Sequence, residues 1–326
     1  MNDLNVALVW NSWDIQNSLI YSLIKQVSKK NIKIVNPSKA DFIIYGPYNW
    51  DEKLFHFYRF LKRKIRSEKF SNFVDNYQKK LINASIFNRK YKPLTLFYCL
   101  EPLPYDYIEA DYYISYNLGI DKENHLYDGL WKDLLDWSHE KIFRGPSQSA
   151  QRLGRFVNID ELMVGQGPDF LKKERKMCLF AGHMTQPRKI IFETFLKHFQ
   201  IDVYGMHNNK NADANNNFKK IDIMKKYAFN LCPENKIFPG YTSNRHIDAF
   251  VGKCLPIYWA DQNIDFEFNI KSFINLNDHF KDNFANIINS LKDDIFLRKY
   301  TTEPVLLKRP NLDRERKFIE KILNNF

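Results

Sequence analysis

Three positions in this chain pair a reactive side chain with a place where α/β proteins put function. Glu101 ends the apolar run LTLFYCL (Leu94–Leu100) and precedes Pro102. A carboxylate at the end of a buried strand lies at the mouth of the sheet, and the proline biases it toward an extended backbone. There it can act as a general base. Tyr105, Tyr107, Tyr112, Tyr113 and Tyr116 follow closely. An aromatic wall beside a carboxylate suits sugar rings, whose C–H faces stack on aromatics; core packing explains some of these tyrosines equally well. Arg188 and Arg245 each open an amphipathic helix. At a helix start the free N–H groups and the dipole favour an anion, and a guanidinium adds two-pronged phosphate contacts. An arginine at such a place is also a common surface residue, so neither specifies a ligand alone.

The elements that must position these residues centre on Phe229–Asp261, FNLCPENKIFPGYTSNRHIDAFVGKCLPIYWAD. Phe229–Cys232 reads as a buried strand. A polar turn with Glu234, Asn235, Pro239 and Gly240 follows, then a helix carrying Arg245, Ile247, Ala249, Phe250 and Val251, then a second apolar strand, Leu255–Trp259. Strand, loop, helix and strand make a βαβ unit with the polar loop at its mouth.

Upstream, Leu4–Trp10, Ile32–Val35 and Phe42–Tyr45 read as strands. Ile15, Leu19, Leu23 and Val27 recur every four residues, as on a helix with one buried face. Residues 51–90 read as helical, with Lys62, Arg63, Lys64 and Arg66 opposite Leu54, Phe57, Leu61 and Ile65. This basic face is either simply solvated or a contact for anionic headgroups or a phosphorylated glycan carrier. Residues 132–172 are polar and irregular, with Gly145-Pro146, Gly165 and Gly167-Pro168, which places a domain boundary at 168/169. The α/β pattern then restarts: strand Met177–Ala181, helix Arg188–Phe199, strand Ile201–Tyr204, a polar loop His207–Asn217 and a short helix Ile221–Tyr227. Asp278–Leu291 reads as a helix, and Leu312–Phe326 as a terminal helix whose Phe318, Ile319, Ile322 and Leu323 must pack on something.

At 326 residues the chain is long enough for two cores. Its net charge of +11 suits nucleic acid, an anionic membrane surface or an anionic small substrate. No other feature of nucleic-acid binders is present, so nucleic acid is not an expected partner. Cys99, Cys178, Cys232 and Cys254 lie in apolar runs without CxxC spacing, the pattern of buried reduced thiols. The opening MNDLNVALVW does not read as a signal peptide, and no apolar run is long enough to span a membrane. A cytoplasmic chain, peripheral at the inner face of the membrane, is the expectation.

GxGxxG, P-loop, HExxH and GxSxG motifs are absent, and so is Asp-x-Asp. Asp265-Phe-Glu267 comes nearest, in an apolar setting that points to a structural role. One placed carboxylate, two arginines at helix starts and a double α/β layout suit transfer from a diphosphate-activated donor without a metal. The arginines would stabilise the departing diphosphate in place of an ion.

These residues resemble the signature of the α1,3/4-fucosyltransferases, glycosyltransferase family 10, of bacterial type. The likeness is carried by CPEN, PGYTSNR, HIDAF and LPIYWAD in order, by FYCLEP with DYYISYNLG, by PRKIIFETF and by FEFNIKSFI. It covers most of the chain. The resemblance implies a GT-B-like α/β fold with two Rossmann-like domains facing a central cleft, the C-terminal helix packing back on the first. Residues 1–168 would bind the acceptor and 169–326 a GDP-sugar. It implies an inverting, metal-independent transfer of fucose from GDP-fucose to a hydroxyl of a cell-surface glycan, such as lipopolysaccharide or capsule, free or lipid-linked. Glu101 matches the general base. Arg188 and Arg245 match the cations on the diphosphate. Glu234, Asn235, Tyr241, Ser243 and Asn244 fall within the donor-site signature, and Tyr105 and Tyr107 beside the acceptor.

One departure bears on the donor. The family's Thr-Glu-Lys is Ser243-Asn244-Arg245 here. Arginine keeps the charge and gains a prong. Asparagine loses a carboxylate, and a charged hydrogen bond exceeds a neutral one by about 1 kcal/mol. Another GDP-deoxysugar or a GDP-heptose-like donor is therefore an alternative, and a basic peripheral membrane scaffold is the non-enzymatic one.

Overall fold

The apolar runs of the first part of the chain become a six-stranded parallel sheet in a computed structural model. The structure describes residues 3–9, 15–47, 92–205 and 219–326, with four helical positions, Ile65, Lys69, Phe73 and Asn76. The strands are β1 (Leu4–Val9), β2 (Ile32–Ile34), β3 (Phe42–Tyr45), β4 (Leu94–Cys99), β5 (Tyr112–Ser115) and β6 (His125–Tyr127). They lie in the order β2-β1-β3-β4-β5-β6 and pair in parallel. β3 and β4 are central and covered on both faces, so apart from Thr95 they read as continuous apolar runs rather than alternating ones. Helix α1 (Leu19–Val27) connects β1 to β2. Its N-cap, Ser18, accepts the Tyr21 N–H at 3.2 Å, and Leu19, Ile20, Leu23 and Ile24 face the core.

The second sheet has five strands: β7 (Met177–Phe180), β8 (Ile201–Tyr204), β9 (Phe229–Leu231), β10 (Leu255–Tyr258) and β11 (Ile274–Asn275), ordered β11-β10-β9-β7-β8. All described pairings are parallel. Helices α2 (Arg188–Leu196), α3 (Lys220–Met224) and α4 (Arg245–Val251) supply connections. The expected helix over 278–291 is shorter, Ala285–Ser290, because Phe284 before it takes a left-handed backbone, φ 66°. The basic cluster at 62–64 and 66 and the loop at 207–217 lie outside the described residues.

Two compact units result: Met1–Asp128 with Leu312–Phe326, and Gly129–Asn311. The terminal helix α5 (Asp313–Leu323) thus returns to the first unit, as expected. Ile319 and Ile322 are buried, Phe318 meets the Tyr112 ring edge-on at 5.9 Å, and Phe326 lies 5.7 Å from Phe42. The units divide at 128/129, not at 168/169. Residues 129–168 pack into the second unit. Trp131 Nε1 donates to Glu267 Oε2 at 2.9 Å, and the main chain bonds Leu162 to Leu306 and Gly167 to Thr301. Gly165 is there for close approach, since a Cβ at that position would meet the Thr301 carbonyl oxygen at 2.4 Å.

The second core holds one unusual member, His246 of α4. It is fully buried, with its ring stacked on Tyr258 at 4.7 Å and edge-on to Phe268 at 4.3 Å. Neither ring nitrogen has a hydrogen-bond partner among the described residues. Burial drives its pKa down from 6.5 to about 3. The folded chain therefore keeps His246 neutral, while the unfolded chain protonates it below about pH 6.5. The sign follows: this residue subtracts stability progressively as pH falls from 6.5 toward 3. His246→Phe is expected to flatten the acid side of the stability profile, read as the urea midpoint at pH 7 and pH 4.5. An unchanged difference between the two midpoints would contradict the assignment.

Candidate functional site

The turn after β9 carries Glu234 into the second unit's interior. Its N–H continues the sheet pairing by donating to the Trp259 carbonyl at 2.8 Å. The side chain is fully buried. Oε1 accepts from the Ser243 N–H at 3.0 Å, the Ser243 hydroxyl at 2.5 Å and the Tyr258 hydroxyl at 2.6 Å. Oε2 accepts from Arg245 Nε at 3.2 Å. A buried carboxylate persists only when paired and hydrogen-bonded, and these donors do both. Burial and then Glu234 push the Tyr258 phenol well above its usual range. For Arg245, burial works against the cation, but the facing Glu234 and the nearby tyrosines outweigh it and raise its pKa.

Arg245 is held but not used up. Nη1 donates to the Phe180 carbonyl at the end of β7 at 2.8 Å. Nη2 has no hydrogen bond among the described residues, and the side chain is 26% exposed. Arg188 is different. It opens α2 as expected, yet it is only 2% exposed. Nε and Nη2 donate to the Pro233 carbonyl at 3.2 and 3.0 Å, and Nη1 to the His183 carbonyl at 2.8 Å. Those bonds take three of its five N–H groups. Burial, then the charge of Arg245, lowers its pKa to about 10, so it stays a cation at neutral pH. Two guanidinium groups thus share one carboxylate, and the site is short of negative charge.

The other signature residues arrange around this pair. Ser243 bonds Glu234 twice, as above. Tyr241 is buried and near enough to both arginines to favour their charged forms. Asn235 is exposed at the tip of the turn. Asn244 turns inward, its Nδ2 donating to Asp248 Oδ1 at 2.7 Å, and Asp248 is ion-paired to Lys220 at 2.5 Å. Asp261 fixes the loop from behind by accepting the Gly240 N–H at 2.8 Å; Gly240 sits at φ 80°, where glycine is favoured. Phe180, Lys220, Asn230, Cys232, Arg245 and Asp248 line a small recess. Sequence reasoning did not single out Asp248, Lys220, Tyr258 or Asp261. The i,i+4 spacing of Asn244 and Asp248 was the one local signal available.

Glu101 belongs to the first unit, just past β4, and is half-buried. Its carbonyl accepts the Leu103 N–H at 2.7 Å and the Cys99 thiol at 3.6 Å. Tyr105 and Tyr107 are half-buried beside it, whereas Tyr113 and Tyr116 are core residues and Tyr112 packs on α5. The four cysteines are buried and unbridged, as expected. No three His, Cys, Asp or Glu side chains group as a metal site among the described residues. Glu267, bonded to Trp131, has the structural role expected of Asp265-Phe-Glu267. Among the described residues no helix is long and apolar enough to cross a membrane.

Comparison with known proteins adds four findings. Residues 170–302 match the family model described as "Glycosyltransferase family 10 (fucosyltransferase) C-term". A putative fucosyltransferase of Acanthamoeba polyphaga mimivirus is 27% identical over 152 residues, 43% of this chain and 25% of that protein. The α-(1,3)-fucosyltransferase FucT of Helicobacter pylori is 41% identical over 73 residues, 22% of this chain and 15% of that protein. The matches thus span a quarter or less of these relatives' lengths. A crystal structure of an α1,3-fucosyltransferase with GDP-fucose superposes with a TM-score of 0.64 at 16% identity, over 99% of this chain and 91% of that one. The fold, two parallel α/β sheets, is thus of the GT-B type. Residues 170–302 of this chain thus resemble the C-terminal part of the family 10 glycosyltransferases.

Proposed function

We propose that this chain is an inverting glycosyltransferase that moves fucose from GDP-fucose to a glycan hydroxyl. The observation that carries the reading is Arg245: a partly exposed guanidinium, fixed by Glu234, with Nη2 unbonded among the described residues and Arg188 near enough to feel its charge. That is a site for an anion such as a diphosphate. The related structure that binds GDP-fucose supports the same donor.

In this reading the second unit, Gly129–Asn311, holds the donor and the first, Met1–Asp128 with Leu312–Phe326, binds the acceptor. The Glu101 carboxylate takes the proton from the acceptor hydroxyl as its oxygen attacks the anomeric carbon. The bond from that carbon to the diphosphate oxygen breaks, and its electron pair leaves with GDP. One displacement inverts the centre. Arg245, with Arg188 behind it, stabilises the charge developing on the leaving group, and no step calls for a metal. Asn235, Tyr241 and Ser243 complete the donor loop, and Tyr105 and Tyr107 offer ring faces to the acceptor. The +11 charge suits an anionic, lipid-linked acceptor of lipopolysaccharide or capsule type at the inner face of a membrane. Asn244 favours a second reading with the same mechanism: its amide is committed to Asp248, and a neutral group there suits another GDP-deoxysugar or a GDP-heptose.

Glu101→Gln is expected to lower the transfer rate by about 10²–10⁴-fold, with GDP binding retained. Near wild-type transfer would remove the base. Arg245→Met is expected to weaken GDP binding by roughly tenfold or more, the loss of one charged hydrogen bond of ~1.5–3 kcal/mol, by calorimetry. That variant leaves Glu234 unpaired, so circular dichroism is read beside it, and Arg245→Lys, which keeps the charge, should recover binding. Unchanged affinity in a folded Arg245→Met protein would contradict the diphosphate site.

A further inference from the structure

The turn that carries Glu101 is poorly equipped to hold itself. In Glu101-Pro102-Leu103-Pro104-Tyr105 the two prolines lack an N–H. That leaves two main-chain donors after Glu101. Leu103 N–H closes locally on the Glu101 carbonyl at 2.7 Å. Tyr105 N–H goes instead to Asn117 Oδ1, at 3.0 Å.

Asn117 follows β5 and is 7% exposed. Both ends of its amide serve the turn, because Nδ2 also donates to the Leu103 carbonyl at 2.9 Å. One side chain therefore replaces the main-chain pairing that the prolines prevent. Asn117 is in turn anchored: its N–H donates to Ser115 Oγ at 3.2 Å, and Ser115 Oγ bonds His125 Nε2 on β6 at 2.8 Å. The Tyr105 ring sits edge-on to His125 at 5.1 Å and to Tyr113 at 5.3 Å. Burial lowers the His125 pKa to about 4, so the anchor does not change charge near neutral pH. Each bond joins groups of the first unit.

We propose that Asn117 is a positioning residue for the Glu101 base, fixing the Glu101–Tyr105 turn from an anchor made by Ser115 and His125. This rests on the reading of Glu101 as the base. A residue that acts through Glu101 has nothing left to position once Glu101 is gone, whereas a residue that only stabilises the fold damages both backgrounds alike.

A double-mutant cycle separates these cases. GDP release from GDP-fucose, with water as the acceptor, is measured for the wild-type chain, Asn117→Ala, Glu101→Gln and the double variant. Asn117→Ala is expected to lower kcat by about 10–100-fold, the cost of a misplaced reacting group, with KM for GDP-fucose unchanged. In the Glu101→Gln background it should change kcat by less than about threefold, since coupled residues are not additive. Equal losses in both backgrounds, or a loss confined to KM, overturn the proposal while leaving Glu101 as the base. Full activity in Glu101→Gln overturns the base reading and the proposal with it. Should Asn117→Ala not fold, Ser115→Ala takes its place in the same cycle. It removes the anchor alone, with the same outcomes and a smaller expected loss.

Discussion

A single buried carboxylate organises the second unit's loop face. Glu234 sits at the exit of β9, where the sheet's own hydrogen bonding ends, and it takes its four donors from three other elements. Ser243 comes from the loop, Arg245 from the start of α4 and Tyr258 from β10. Burying a charge is costly, and removing one partner of such a pair destabilises by about 3–5 kcal/mol. The loop can therefore take few conformations that satisfy Glu234, and one of them places Arg245 with a nitrogen to spare.

The electrostatic consequence is a cation held in place and left partly unused. Arg188 lies deeper, spends most of its donors on the carbonyls of Pro233 and His183, and feels the charge of Arg245. It shapes the loop that Glu234 enters and adds positive potential from behind. Transition-state charge is stabilised best by groups that need not reorganise, and both guanidinium groups are braced by main-chain carbonyls. The first unit follows the same logic on a smaller scale, with Asn117 bracing a turn whose prolines cannot brace it.

Much of this was legible in the sequence, for physical reasons that also explain what was not. β3, β4, β9 and β10 are covered on both faces, so their residues form nearly continuous apolar runs, interrupted only by Thr95 in β4 and Asn230 in β9. The terminal helix announced its buried stripe at Phe318, Ile319 and Ile322. β5 and β6 did not stand out, because Tyr112–Ser115 and His125–Tyr127 are short and mix aromatic with polar residues. Gly165 and Gly167-Pro168 read as a domain boundary, although the first is there because another segment's backbone passes against it. At the site, Glu234, Ser243 and Arg245 were within reach of a motif. Tyr258 and Asp261 lie in the LPIYWAD run, but that they meet the loop depends on the fold. Arg188 was legible as a helix-start cation, but its turn toward main-chain carbonyls depends on where Pro233 lies in space.

The most direct test of this account is a crystal structure of the chain grown with GDP. The account predicts a phosphate oxygen within hydrogen-bond distance of Arg245 Nη2, about 2.7–2.9 Å for a charged pair, with Glu234 still bonded to Ser243 and Tyr258. GDP bound away from Arg245, or a Glu234 side chain turned out of its pocket to admit it, would contradict the claim that this buried carboxylate builds the diphosphate site.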